Sequence, residues 1–104
     1  MARIIIHPGE HLADELQALG LSANELAKAL GVPTNRITEI IRGKRGLSGD
    51  TALHLGRWFG TGPDIWMNLQ KNYELRLAAQ AIGEALEKIP QHRPGPRTTN
   101  DVQP

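Results

Sequence analysis

Apolar residues recur along most of this chain at the three- and four-residue spacing of one helix face. Leu12, Leu16 and Leu19 form the first such stripe, behind the opening His7, Pro8, Gly9, Glu10. Pro8 suits a first turn, where its missing N–H costs nothing, and Gly20 suits a left-handed helix end. Ser22 and Glu25 are spaced as a capping box for a second helix, with Leu26, Ala27 and Leu30 inward and Gly31 at its end. A third helix is predicted to start near Pro33 or Thr34 and run to about Arg42, where Gly43 stops it. Ser48 caps a fourth, with Ala52, Leu55 and Phe59 inward and Gly60 closing it. Thr61 and Asp64 read as a capping pair for a fifth, with Pro63 in its first turn and Trp66, Leu69, Tyr73 and Leu77 as its stripe. That helix can extend through Ala85 and Leu86 to about Lys88, although Gly83 weakens the extension by about 1 kcal/mol relative to Ala. Arg3 to Ile6 is the one extended candidate, and a lone strand needs a partner. The pattern predicts an all-α domain of five helices over residues 1–88. Residues 89–104 hold four prolines and almost no apolar side chains, so they are expected to be a flexible tail.

Composition narrows the function classes. With 104 residues the chain makes one domain with a small core, which oligomerisation would help to stabilise. The absence of cysteine excludes disulfides, thiolate nucleophiles and cysteine-ligated zinc. No apolar run approaches the roughly 20 residues of a membrane span, and three isoleucines are too few for a signal-peptide core. A cytoplasmic protein without membrane contact is expected. Formal net charge is only +1, but Arg36, Arg42, Lys44 and Arg45 against Glu39 give +4 − 1 = +3 between Thr34 and Gly46. A local basic patch on a near-neutral chain suits a small DNA reader.

The segment Ser22 to Arg45 carries that reading further. Two short helices that cross closely need a small residue inside the first, a turn residue tolerant of positive φ, and branched anchors on the second. Ala27, Gly31 and the trio Ile37, Ile40, Ile41 meet those demands. The other arc of the second helix is polar, and is expected to read base edges in a major groove. Asn35 suits adenine, Arg36 or Arg42 suits guanine or a phosphate, the Thr38 methyl suits thymine, and Glu39 suits cytosine or a neighbouring arginine; Thr34 flanks them. Phosphates are expected at the amides of Ala23 and Asn24, at the positive end of the helix dipole, with Ser22, Lys44 and Arg45 beside them. One unit reads few base pairs, so a homodimer on a palindromic operator is expected. The fifth helix (Trp66, Leu69, Tyr73, Leu77) is the proposed interface.

Nothing points to catalysis. His7 and His11 have a zinc-compatible spacing, but Pro8 and Gly9 intervene and no HExxH is present. His54 and His92 stand alone, Ser22 and Ser48 read as caps, and no Gly-rich phosphate loop occurs. No enzyme activity, metal or cofactor is expected.

Against these residues, the chain resembles the HigA/VapI antitoxins, a branch of the helix-turn-helix family that includes phage repressors. The likeness spans about Ile6 to Gln80 and is carried by HPGEHLADEL and by IIRGKRGLSGDTALHLGRWFGTGPDIWMNLQKNYEL. The resemblance implies a lambda-repressor-like fold and a dimer that represses its own promoter. It also implies a partner toxin, a HigB/RelE-like mRNA endonuclease that the protein holds inactive. A stand-alone repressor without a toxin is the alternative. The family's base contacts carry over onto Thr34, Asn35, Thr38 and Glu39. Two positions depart: Ala23 stands where relatives often have a phosphate-binding Gln, and Pro33 where they often have Ser or Thr. The toxin surface does not transfer residue by residue; Arg3 to Ile6, the first helix and the tail are its candidates.

Overall fold

The computed structural model of the protein describes residues 5–92. Five α-helices follow in order: α1 (Pro8–Leu19), α2 (Ala23–Leu30), α3 (Thr34–Ile41), α4 (Gly49–Phe59) and α5 (Asp64–Ile82). A 3₁₀ segment, Gly83–Lys88, follows α5, and the described residues contain no strand. Of the candidate strand, Arg3 and Ile4 lie outside the described residues; Ile5 is half-buried and Ile6 exposed, in irregular backbone. The tail beyond His92 also lies outside them.

Side-chain caps start α1, α2 and α4. The Ser22 hydroxyl accepts the Glu25 amide at 3.0 Å while the Glu25 carboxylate accepts the Ser22 amide at 2.9 Å, closing the capping box. Ser48 accepts the Thr51 amide at 3.2 Å at the head of α4. The cap of α1 is His7, whose Nδ1 accepts the Gly9 amide at 2.8 Å. The predicted Thr61 cap does not form. Pro63 takes the N-cap position of α5, and the Thr61 hydroxyl donates to the Gly62 carbonyl instead.

The helices close around Leu12, Leu16, Leu26, Ala27, Ile37, Ile40, Leu47, Ala52, Leu55 and Trp66. Fully burying one such Leu or Ile contributes about 1.5–3 kcal/mol relative to exposure. The last residue of the α1 stripe, Leu19, faces water because the chain turns away at Gly20. Gly31 has φ +74°, and the Val32 amide donates to the Ala27 carbonyl at 3.0 Å, so the chain turns tightly between α2 and α3 and the two helices pack together. At the α1–α3 crossing the backbones touch, and a Cβ on Gly9 would overlap the Ile40 carbonyl.

The extension of α5 is interrupted. Gly83 takes φ +62°, and the chain continues as the 3₁₀ segment to Lys88. Only Trp66 and Gln70 of α5 are buried, and every residue from Glu74 to His92 is exposed.

His7 makes the fold sensitive to pH. Its ring packs edge-on against Tyr73 at 4.7 Å, and burial pushes its pKa below the ordinary 6.5 although Glu10 opposes the shift. The cap requires an unprotonated Nδ1. The unfolded chain therefore takes up a proton near 6.5 that the folded chain refuses. The contribution of His7 is complete above pH 6.5 and is lost as pH falls through the lower, folded value. Urea titrations should show stability falling on acidification below pH 6.5, and His7→Asn, which keeps a capping side chain without that titration, should flatten the fall. An equal fall in the variant would assign it to other groups.

Candidate nucleic-acid interface

The polar arc of α3 is presented by its apolar one. Ile37 and Ile40 are fully buried and Ile41 is half-buried, which fixes the rotation of the helix. Asn35 and Arg42 are then exposed, while Thr34, Arg36, Thr38 and Glu39 are partly exposed. The N-termini of α2 and α3 are tied side by side, because the Thr34 hydroxyl donates to Asn24 Oδ1 at 2.8 Å. Two expected phosphate-binding donors at the head of α2 remain open: the Ala23 and Asn24 amides have no acceptor among the described residues. They sit at the positive end of that helix. Ser22 is different, since its amide is already used by Glu25 and only its hydroxyl proton is free to donate.

The structure separates residues that the sequence treats alike. Arg36 points toward α4, where its Nη1 lies 3.1 Å from the Asp50 carboxylate, and its side chain is only 28% exposed. The same carboxylate lies 3.0 Å from His54 Nδ1, which is 2.8 Å from the Asp50 carbonyl. To reach a base, Arg36 would have to leave a carboxylate, so it is a weaker candidate for base contact than Asn35. Glu39 pairs with Arg45 at 2.9 Å, and its carbonyl accepts the Lys44 and Arg45 amides at 2.8 and 3.2 Å. Thr38 back-bonds to the Asn35 carbonyl at 3.3 Å, leaving its methyl free. Arg42 and Lys44 form no ion pair among the described residues, so both cations are available to an anionic ligand.

Two contributors were not apparent from the pattern. Gln70 is buried, accepts the Leu47 amide at 2.7 Å and donates to Glu74 at 2.7 Å, tying the basic exit loop of α3 to α5. Its signal is present in the register: Gln70 follows Trp66 by four residues on the same helix face, but it is polar and escapes an apolar search. Asp50, the partner of Arg36, gave no signal because its contact spans fourteen residues and two helices.

The proposed dimer stripe divides. Trp66 is not available to a partner: it is 5% exposed, stacked on Phe59 at 5.2 Å inside its own core. The small core needs that large ring, since a five-helix domain has few other bulky side chains to fill it. Leu69 is half-buried against the core, Tyr73 is half-buried beside His7, and Leu77 is exposed. A partner helix would therefore meet Leu77 and the outer parts of Tyr73 and Leu69.

Among the described residues no helix is long and apolar enough to cross a membrane, and no group of three or more His, Asp or Glu is placed to hold a metal.

A family model described as Helix-turn-helix matches residues 12–66. Virulence-associated protein I of Dichelobacter nodosus is 53% identical over 76 residues, covering 72% of this chain and 70% of that protein. The solved structure of an addiction module antidote protein of a HigA family from Coxiella burnetii is 47% identical, with a TM-score of 0.83 over 88% of this chain and 100% of that one. The Pseudomonas aeruginosa antitoxin HigA with the higBA promoter is 43% identical, with a TM-score of 0.79 over 85% of this chain and 97% of that one.

Proposed function

This chain belongs to the helix-turn-helix family, in its branch of HigA-type antitoxins, and from that membership we propose that it represses its own operon and neutralises a HigB/RelE-like endonuclease toxin. As a homodimer it places two α3 helices on a palindromic operator, half-sites roughly 34–36 Å apart. Asn35, Thr38 and Glu39 read base edges, with Thr34 and Arg42 at the margin and Arg36 in reserve beside Asp50. The Ala23 and Asn24 amides, the Ser22 hydroxyl, Lys44 and Arg45 hold phosphates. Leu69, Tyr73 and Leu77 meet the partner helix.

The observation that carries this reading is the outward arc of α3 lying beside the open amides of α2, with Ile37 and Ile40 buried beneath it. It joins base-reading and phosphate-holding groups on one surface, as a groove-binding unit requires. The likeness to a solved antitoxin HigA with the higBA promoter supports operator binding as the function.

Titration of the purified protein onto its upstream promoter fragment tests the reading. Retention should be specific over a scrambled fragment and should weaken linearly with the logarithm of salt. Lys44→Ala should weaken binding to both fragments alike and reduce the salt slope by about one. An unaltered slope would remove Lys44 from the phosphate set, and equal retention of both fragments would remove the repressor function. The antitoxin role is tested by coexpression with a HigB/RelE-like toxin encoded beside this chain: growth arrest by the toxin should be relieved, and the lack of any such neighbouring frame would favour a stand-alone repressor.

A further inference from the structure

The exit loop of α3 carries Lys44 and Arg45, and its backbone is held from two sides. On one side, the Gly43 amide donates to the Ile40 carbonyl at 3.0 Å, and the Lys44 and Arg45 amides share the Glu39 carbonyl. On the other, the Leu47 amide donates to Gln70 Oε1 at 2.7 Å, a contact that spans 23 residues. Among the described residues, no other hydrogen bond joins residues 43–47 to an element beyond α3. Gln70 is 7% exposed, and Glu74 sets its orientation. By accepting from Nε2 at 2.7 Å, Glu74 turns Oε1 toward the loop. Gly46 lies against the same amide, where a Cβ would come within 2.7 Å of Nε2 and 2.8 Å of Oε1. Gly46 is not among the glycines of positive φ, so this contact is what requires a glycine there. The buried Leu47 side chain anchors the end of the loop but does not fix the peptide plane before it. An apolar side chain at position 70 would fill the same space and leave the Leu47 amide without its acceptor.

We propose that Gln70 is a positioning residue for operator binding: with Glu74 and Gly46 it locks the exit loop, so that Lys44 and Arg45 meet phosphates already ordered. This rests on the operator reading and deepens it. A cation on a loose loop still attracts a phosphate, but the loop and side chain must then be ordered at the moment of binding. The lock removes that cost in advance. It acts on phosphate contacts alone, so it tightens every sequence alike and leaves the choice of bases to α3.

The test is a double-mutant cycle read by titration onto the operator and scrambled fragments, at a temperature where melts show every variant folded. Gln70→Leu should weaken both fragments alike, by about five- to tenfold for two cations left to be ordered on binding. Gly46→Ala should do the same from the loop side, because its Cβ displaces the flexible end of Gln70 and no backbone. The two together should lose no more than either alone. In a Lys44→Ala/Arg45→Ala protein neither change should weaken binding further. A loss that persists there would place the effect of Gln70 on the fold as a whole and overturn the proposal, as would unchanged affinity in the folded single variants. Glu74→Lys supplies an independent arm on an exposed residue, should Gln70→Leu fail to fold. It exchanges a negative charge for a positive one, so charge alone would tighten both complexes. A donor at that position instead draws Oε1 away from the loop, and both complexes should weaken; tighter binding would overturn the lock. A wild-type protein that retains neither fragment, or a Lys44→Ala/Arg45→Ala protein that binds as well as wild type, would overturn the phosphate reading and the lock with it.

Discussion

Gly9→Ala should destabilise the domain by about 3 kcal/mol, the upper range for forcing an atom into a packed interior. Helix propensity alone argues the other way, since alanine is favoured over glycine inside a helix by about 1 kcal/mol. The crossing decides the sign. An added Cβ at position 9 falls on the Ile40 carbonyl, and the obstruction is backbone, so no rotamer change relieves it. Either α1 lifts off α3 or the helix end deforms. For a domain of this size the loss corresponds to a fall in melting temperature of about 12–24 °C. Operator affinity should fall with it, because Ile40 helps to set the rotation of the recognition helix. A thermal melt is sufficient to check this, and a neutral or stabilised variant would show that α1 and α3 do not meet as described.

Asn35→Ala should do the opposite: it should leave the fold intact and reduce operator affinity about tenfold to a hundredfold, the value of one good bidentate base contact. Asn35 is exposed, and its side chain takes part in none of the hydrogen bonds among the described residues, so its removal leaves no buried group unpaired. The change in unfolding free energy should stay within about 0.5 kcal/mol. Competition between operator and scrambled fragments is the measurement: the ratio of the two affinities should collapse while affinity for the scrambled fragment holds. A preserved ratio would take Asn35 out of base reading. Arg36→Ala should have the smaller effect on that ratio, since the guanidinium is already committed to Asp50. The two arginines of α3, interchangeable as letters, are thus separated by one ion pair.

The helices were legible because their signals are local. The capping box at Ser22 and Glu25, the turn at Gly31 and the period of Ile37, Ile40 and Ile41 each operate within a few residues. The outward polar arc of α3 was legible for the same reason: once the isoleucines are inward, helical geometry leaves Asn35 and Arg42 outward. The misreadings share another cause. Thr61 was a plausible cap by spacing, yet Pro63 took the position because the chain enters α5 from the tight approach at Gly56, where a Cβ would overlap Gly62. Trp66 looked suited to an interface by residue type, yet its own core claimed it. Leu19 fitted its stripe, yet the helix ended before any neighbour could cover it.

From the sequence alone followed the all-helical class, the order and approximate bounds of the five helices, the close-crossing pair α2 and α3, and the family resemblance. These depend on hydrogen bonds, caps and periodicities that a chain carries in short range. Tertiary packing alone decided which polar side chains stay free. Arg36 is tied to Asp50, Glu39 to Arg45, Gln70 to the Leu47 amide, and Trp66 is consumed by the interior. Each of those outcomes is a competition between partners on different elements. It is settled by distance and desolvation once the helices are packed, and neither quantity is written in the spacing of residues along the chain.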